Sequence, residues 1–236
     1  MAIREPAEAV ALDYMAHAYP TCKVGLLAGS VVRGQGTPRS DLDIFIIDNQ
    51  FPSSFRESLH YKNWPVECFV HNDRSYQAFF ENDCERARPS LPQMVSEGIV
   101  LKDDGFAEKI KAEAKALLKK GPKSWTQEEL KIKRYFLTDL LDDFEGCKDR
   151  SEGIFIAGKL AEAAHEFVLR TNGQWIGSGK WIKRALDRFD SSFSKRFADA
   201  FDSYYRHDDK QQILTLIDNI LQPYGGRLFE GFSLQS

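Results

Sequence analysis

Residues 28–47 read AGSVVRGQGTPRSDLDIFII, and two aspartates one residue apart lead into a run of strongly β-forming apolar residues. Just upstream, KVGLLAG (23–29) reads as a buried strand ending at Ala28-Gly29. Ser30 then opens a short helical turn, SVVRG, whose free backbone N–H groups suit a phosphate. After the loop from Gly34 to Pro38 the strand SDLDIFII begins. Side chains alternate along it, so Asp41 and Asp43 share one face while Leu42 and Ile44 share the other. Like charges that close raise each other's pKa unless a divalent cation lies between them. Mg²⁺ and Mn²⁺ are typically held by one or two carboxylates plus substrate phosphates, which the Gly29-Ser30 turn is placed to receive. The stretch therefore predicts a metal site beside a phosphate cradle.

Two metals clamping an in-line phosphoryl displacement need a further acid from a neighbouring strand. Glu67 in WPVECFV (64–70) meets that need, flanked by Val66 and Cys68 as Asp43 is by Leu42 and Ile44. A glutamate in an apolar strand is costly unless it is paired or metal-bound. The competing readings are a solvated strand end for the two aspartates and an edge-strand acid facing solvent for Glu67. The Gly-Ser turn before and the strand acid after weigh toward the metal.

Beyond this segment the apolar pattern changes character. Short β-type runs, KVGLLAG, DLDIFIID, WPVECFV and GIVLKD, occupy the first half, separated by Pro, Asn, Asp and Gly. From about Ser124 the period becomes helical: TQEELKIKRYFLTDLLDDFEG, SEGIFIAGKLAEAAHEFVLRTNG, SGKWIKRALDRFDSSFSKRFADAFDSYYRH and DDKQQILTLIDNILQPYGG. Ser124 to Thr126 with Glu128 and Glu129 mark a helix start, and Gly146 and Gly173 mark helix stops. In the first of these helices Phe136, Leu137, Leu140, Leu141 and Phe144 are expected on one core-facing stripe. The lysine-rich Gly-Pro stretch LLKKGPKSW separates the halves, which predicts an α/β domain over 1–120 and an all-α bundle over 121–236.

With the Gly-Ser turn, SDLDIFI and VECFV in this order, residues 24–70 resemble the nucleotidyltransferase fold of the DNA polymerase β superfamily. The likeness is to its small-molecule branch, which includes the aminoglycoside and lincosamide nucleotidyltransferases. The order of a transferase domain followed by a helical, HEPN-like bundle extends it more weakly over nearly the whole chain. The resemblance implies a mixed sheet, with Asp41 and Asp43 holding the catalytic Mg²⁺ (or Mn²⁺), two ions in all, and Glu67 as the third acid. It implies Gly29 and Ser30 at the nucleoside triphosphate, ATP or another, with Arg33 at its β- and γ-phosphates. It further implies a small hydroxylated acceptor, with the helical half as the acceptor-side domain. There Asp139 and Asp143, off the apolar stripe, are candidates for the general base, and Lys180 in GSGKWIKRAL for a phosphate contact. For each of these three a solvated helix face is the alternative.

The reaction so implied is transfer of a nucleoside monophosphate to a hydroxyl with release of pyrophosphate. Two other functions remain in view: a regulatory transferase acting on a protein partner, of the toxin–antitoxin kind, and a nucleotide-binding protein without turnover. No Arg is separated from a following His by four to six intervening residues, which argues against a HEPN ribonuclease. Bulk properties narrow the rest. The 236 residues carry a formal charge of −3, with 28% charged and 42% hydrophobic residues, so long nucleic acid is not an expected partner. A homodimer is compatible with the sequence. Cys22, Cys68, Cys84 and Cys147 are scattered without zinc-ligand spacing, and the five histidines form no ligand pattern, His165 reading as a helix-packing residue. Neither a secretion signal nor a membrane-spanning run is read, and the cytoplasm is the expected compartment.

Overall fold

The computed structural model of the protein describes residues 4–234. The chain divides into two compact units, Met1–Lys120 and Gly121–Ser236. The first begins with helix α1 (Ala7–Ala18), strand β1 (Val24–Ala28), the single turn α2 (Gly29–Val32), β2 (Leu42–Ile47), β3 (Phe55–Tyr61) and β4 (Trp64–His71). Helices α3 (Ser75–Glu85) and α4 (Ser90–Glu97), strand β5 (Ile99–Asp103) and helix α5 (Ala107–Lys120) complete it. The five strands lie in the order β3-β4-β2-β1-β5. β2 and β4 run parallel and every other neighbouring pair is antiparallel, so the sheet is mixed.

Period-two alternation sorts the strand residues onto two cores. Leu42, Ile44 and Ile46 of β2 join Val66, Cys68 and Val70 of β4 against Val10, Tyr14 and Met15 of α1. Phe45 and Ile47 of β2 face the other way, with Val24 and Leu26 of β1, onto Tyr76, Phe80, Val95 and Ile110 from α3, α4 and α5. Asp43 and Glu67 belong by the same alternation to this second face.

β3 is an unexpected strand. It is the register partner of β4 and joins it through Lys62-Asn63, both with positive φ (45° and 64°). Two such residues make the mirror-image turn that matches the twist of a hairpin. No clean apolar alternation announces β3, because its core-facing side, with Leu59 and Tyr61, also carries the charged Glu57, which accepts from Tyr14 Oη at 2.8 Å.

The second unit comprises α6 (Gln127–Gly146), α7 (Arg150–Thr171), α8 (Lys180–Phe189), α9 (Ser191–His207), α10 (Gln211–Leu221) and a 3₁₀ turn over Gln222–Tyr224. Thr126 and Glu129 form a reciprocal capping box at the start of α6. Leu137, Leu141 and Phe144 are buried as expected, but Phe136 is 48% exposed and stands against Phe232 of the C-terminal segment. Residues 178–207, read from sequence as one continuous helical segment, are two helices. Asp190 is extended (φ −159°, ψ 110°), ends α8, and accepts N–H bonds from Ser192 and Phe193 at the head of α9. Asp190→Ala is expected to cost about 1 kcal/mol of stability, the usual worth of an N-cap, read as a lower urea midpoint at unchanged slope. A midpoint equal to wild type would show that the break does not depend on the cap.

Candidate metal centre and phosphate cradle

The site is built where β1 ends and β2 begins. Ala28 is the register partner of Asp43, so the residue after Ala28 passes directly by that carboxylate. That residue is Gly29, at φ +82°, and a Cβ there would stand 1.8 Å from Asp43 Oδ2. Position 29 needs glycine twice over, for its backbone conformation and for the space that Asp43 occupies.

The loop from α2 to β2 is tied back onto the same point. Ser30 Oγ donates to Ser40 Oγ at 3.0 Å, and Ser40 Oγ also accepts the Thr37 backbone N–H at 2.9 Å. Ser40, the residue immediately before Asp41, is thus tied to Ser30 and Thr37. Sequence reasoning gives it no role, since a Ser-Ser contact across ten residues leaves no local mark.

Asp41, Asp43 and Glu67 converge. Each is half-buried and offers one carboxylate oxygen, the three lying within 4.8 Å of one another; among the described residues this is the group able to hold a metal ion. The parallel ladder makes Asp43 and Glu67 direct register partners, which is why two strands far apart in sequence deliver their acids to one place. Burial, then the neighbouring charges of Asp41 and Glu67, pushes the Asp43 carboxyl up to about 6, opposed by Arg33 and Arg56. Three hard oxygen donors at this spacing, beside a glycine without side chain, fit Mg²⁺ or Mn²⁺.

Two basic residues frame the acids. Arg33 Nη1 is 2.9 Å from Glu97 Oε2 at the end of α4, an engagement 64 residues away in sequence. Arg56 of β3 pairs with Glu67 Oε1, and Ser58 Oγ donates to the same oxygen at 3.2 Å. Arg56 and Ser58 escape the sequence reading because β3 itself does; the Lys62-Asn63 turn flanked by Tyr61 and Trp64 is the signal that points to them.

The structure brings Asp41, Asp43, Glu67, Gly29 and Ser30 together, with Arg33 close enough for its charge to act on Asp43. The remaining candidates belong to the second unit: Asp139 and Asp143 are exposed on α6, and Lys180 is the exposed first residue of α8. The buried histidines serve packing. His71 lies between Phe45 and Phe79, its pKa lowered by burial to about 4. The ring nitrogens of His165 stand 3.2 and 3.1 Å from the carbonyls of Ala161 and Gly177.

No helix among the described residues is long and apolar enough to cross a membrane. No protein-family model and no curated protein matches the chain. Among solved structures, a nucleotidyltransferase-like protein from Exiguobacterium sibiricum 255-15 is similar at 10% identity and a TM-score of 0.47, the match covering 92% of this chain and 75% of that one.

Proposed function

We propose that the chain is a metal-dependent nucleotidyltransferase that moves a nucleoside monophosphate from a nucleoside triphosphate to a hydroxyl of a small acceptor, with release of pyrophosphate. The observation that carries this reading is the convergence of Asp41, Asp43 and Glu67 within 4.8 Å beside the bare backbone of Gly29. In this reading the three acids hold the divalent cations, which when bound supply charge neutralisation at the triphosphate and a more acidic acceptor hydroxyl. Gly29 lets the phosphates come close to the main chain, and Ser30, whose one O–H is donated to Ser40 in the nucleotide-free chain, would turn that hydrogen to a phosphate oxygen. Arg33 adds a guanidinium for the β- and γ-phosphates, and its partner Glu97 fixes its direction.

Strand order gives the reaction a direction across the sheet. Gly29 and Ser30 follow β1, on one side of Asp43, and Glu67 lies on β4, on the other. In-line displacement puts the attacking oxygen opposite the leaving pyrophosphate, so the acceptor hydroxyl approaches from the β4–β3 side. Charge neutralisation and positioning account for most of the rate. Asp139 or Asp143 as a base toward that hydroxyl, and Lys180 as a further phosphate contact, are proposed on the sequence resemblance alone.

The test is a screen of nucleoside triphosphates with Mg²⁺ against hydroxylated small molecules, reading pyrophosphate. Release with an acceptor, abolished by chelation, is the expected result. Nucleotide binding without release from any small acceptor would move the reading to a protein-modifying transferase or a non-catalytic nucleotide-binding protein. In the active assay, single Asn substitutions at Asp139 and Asp143 sort the base. The one that serves loses kcat and the acidic limb of the pH profile while nucleotide affinity holds. Asp142→Asn is the control, since Asp142 is already paired with Arg227 at 2.8 Å.

A further inference from the structure

On the metal-binding reading of the three acids, Arg56 stands beside their ligand set through Glu67. On β3 this residue is the register partner of Phe69, and Ser58 is the partner of Glu67. Both side chains therefore share the face that carries the acids, on the side from which the acceptor is proposed to enter. Arg56 reaches Glu67 Oε1, and its guanidinium carbon stands 4.8 Å over the Phe69 ring. The Arg56 side chain is nevertheless 59% exposed, against 19% for that of Glu67.

That combination separates the two things that hold the arginine. The ion pair is to a carboxylate a metal also needs, while the aromatic contact is to a ring a metal leaves alone. We propose that Arg56 is a positioning residue: it serves as the counter-ion of Glu67 while the site holds no metal, and it yields the carboxylate to a divalent cation while keeping its place over Phe69. An exposed ion pair is weak, so water readily replaces it. A guanidinium over an aromatic face has a resting place that needs no carboxylate. Ser58 keeps one hydrogen bond on Glu67 through the exchange, holding the carboxylate toward Asp41 and Asp43. Released from Glu67, Arg56 stands as a positive charge beside the acceptor's path, so the exchange couples metal loading to the charge that an incoming acceptor meets.

The experiment is a titration of the full chain with Mn²⁺ alone, free Mn²⁺ being read by electron paramagnetic resonance without nucleotide. The proteins are wild type, Arg56→Gln, Arg56→Lys, Glu67→Gln and the Arg56→Gln/Glu67→Gln double variant. Arg56→Gln is expected to tighten Mn²⁺ binding about two- to fivefold, the scale of an exposed ion pair, with Arg56→Lys between it and wild type. In the Glu67→Gln background the same change should have a clearly smaller effect, because the competition runs mainly through that carboxylate and only the field of Arg56 at Asp43 remains. Unchanged or weaker binding in Arg56→Gln overturns the proposal, and so does equal tightening in both backgrounds, which would be a long-range field. If Glu67→Gln does not fold, an affinity of the Arg56→Lys variant outside the interval between wild type and Arg56→Gln overturns it instead. Absence of Mn²⁺ binding in wild type, or binding untouched by Glu67→Gln, would remove the metal-site reading itself.

Discussion

Replacing Asp41 and Asp43 together with Asn is expected to lower metal-dependent turnover about a thousandfold or more while leaving the metal-free chain folded and, near neutral pH, more stable. The first effect follows from the role of the acids: a bound metal contributes several kcal/mol to a phosphoryl-transfer transition state, and each 1.4 kcal/mol is about tenfold in rate. The second follows from their discomfort without one. The Asp43 carboxyl sits at about 6 in the folded chain, above its ordinary value near 3.9. Between those two values the folded chain retains a proton that the unfolded chain has released. The contribution of Asp43 to stability is therefore greatest below about pH 4, falls as pH rises through the window to about 6, and stays lower above it. Set against the ordinary value, this corresponds to roughly 3 kcal/mol of stability lost by neutral pH. The double Asn chain lacks this loss. Thermal unfolding at pH 5 and pH 8, with and without Mg²⁺, checks it: wild type should gain more from Mg²⁺ at pH 8 than at pH 5, and the variant should gain little at either. Undiminished pyrophosphate release by the variant would sink the metal assignment, and a metal-free midpoint at pH 8 below wild type would sink the electrostatic account.

The parts of this site that sequence makes legible are those fixed by strand periodicity. Asp41 and Asp43 must share a face if SDLDIFII is a strand, and an acid inside VECFV must be paid for by something. The parallel pairing that makes Asp43 and Glu67 register partners depends on the chain returning through β3 before it enters β4, and β3 is illegible by the same rule. One face of this edge strand, Arg56, Ser58 and His60, is exposed, and the other mixes half-buried Leu59 and Tyr61 with the charged Glu57, so apolar alternation does not mark it. Arg56 and Ser58 are lost with it. The Arg33–Glu97 pair and the Ser30–Ser40 tie join residues whose meeting is decided by tertiary packing, and no spacing encodes them. In the helical half the period announces the helices but not the break at Asp190, because the apolar residues of α8 and α9 continue in nearly the same phase. The mark of a break is the aspartate followed by two serines, a helix-start pattern placed inside a helical run.

Gly29→Ala is expected to damage the site far more than the fold, and Gly34→Ala gives the comparison that shows it. Both glycines have positive φ, +82° and +67°, so an alanine at either carries the left-handed penalty of about 1–2 kcal/mol. At Gly34 nothing lies within 4 Å of the added Cβ, and the penalty is the whole effect. At Gly29 the Cβ would fall 1.8 Å from Asp43 Oδ2 and 2.8 Å from its Cγ, so the carboxylate must turn or move. A displacement of about 1 Å at a reacting centre costs on the order of a hundredfold in rate, and Asp43 is the acid that faces both Asp41 and Glu67. Gly29→Ala should then lose Mn²⁺ affinity and lower turnover about a hundredfold, with a melting temperature close to that of Gly34→Ala. Gly34→Ala should keep wild-type affinity and turnover. Equal activity in the two alanine variants would mean that Asp43 accommodates the methyl group without leaving its ligand position, and Gly29 would then be required by backbone conformation alone. A double variant, Gly29→Ala/Asp43→Asn, separates these cases. If the damage runs through the carboxylate, adding Gly29→Ala to Asp43→Asn costs no further Mn²⁺ affinity, because the oxygen it displaces is no longer a ligand.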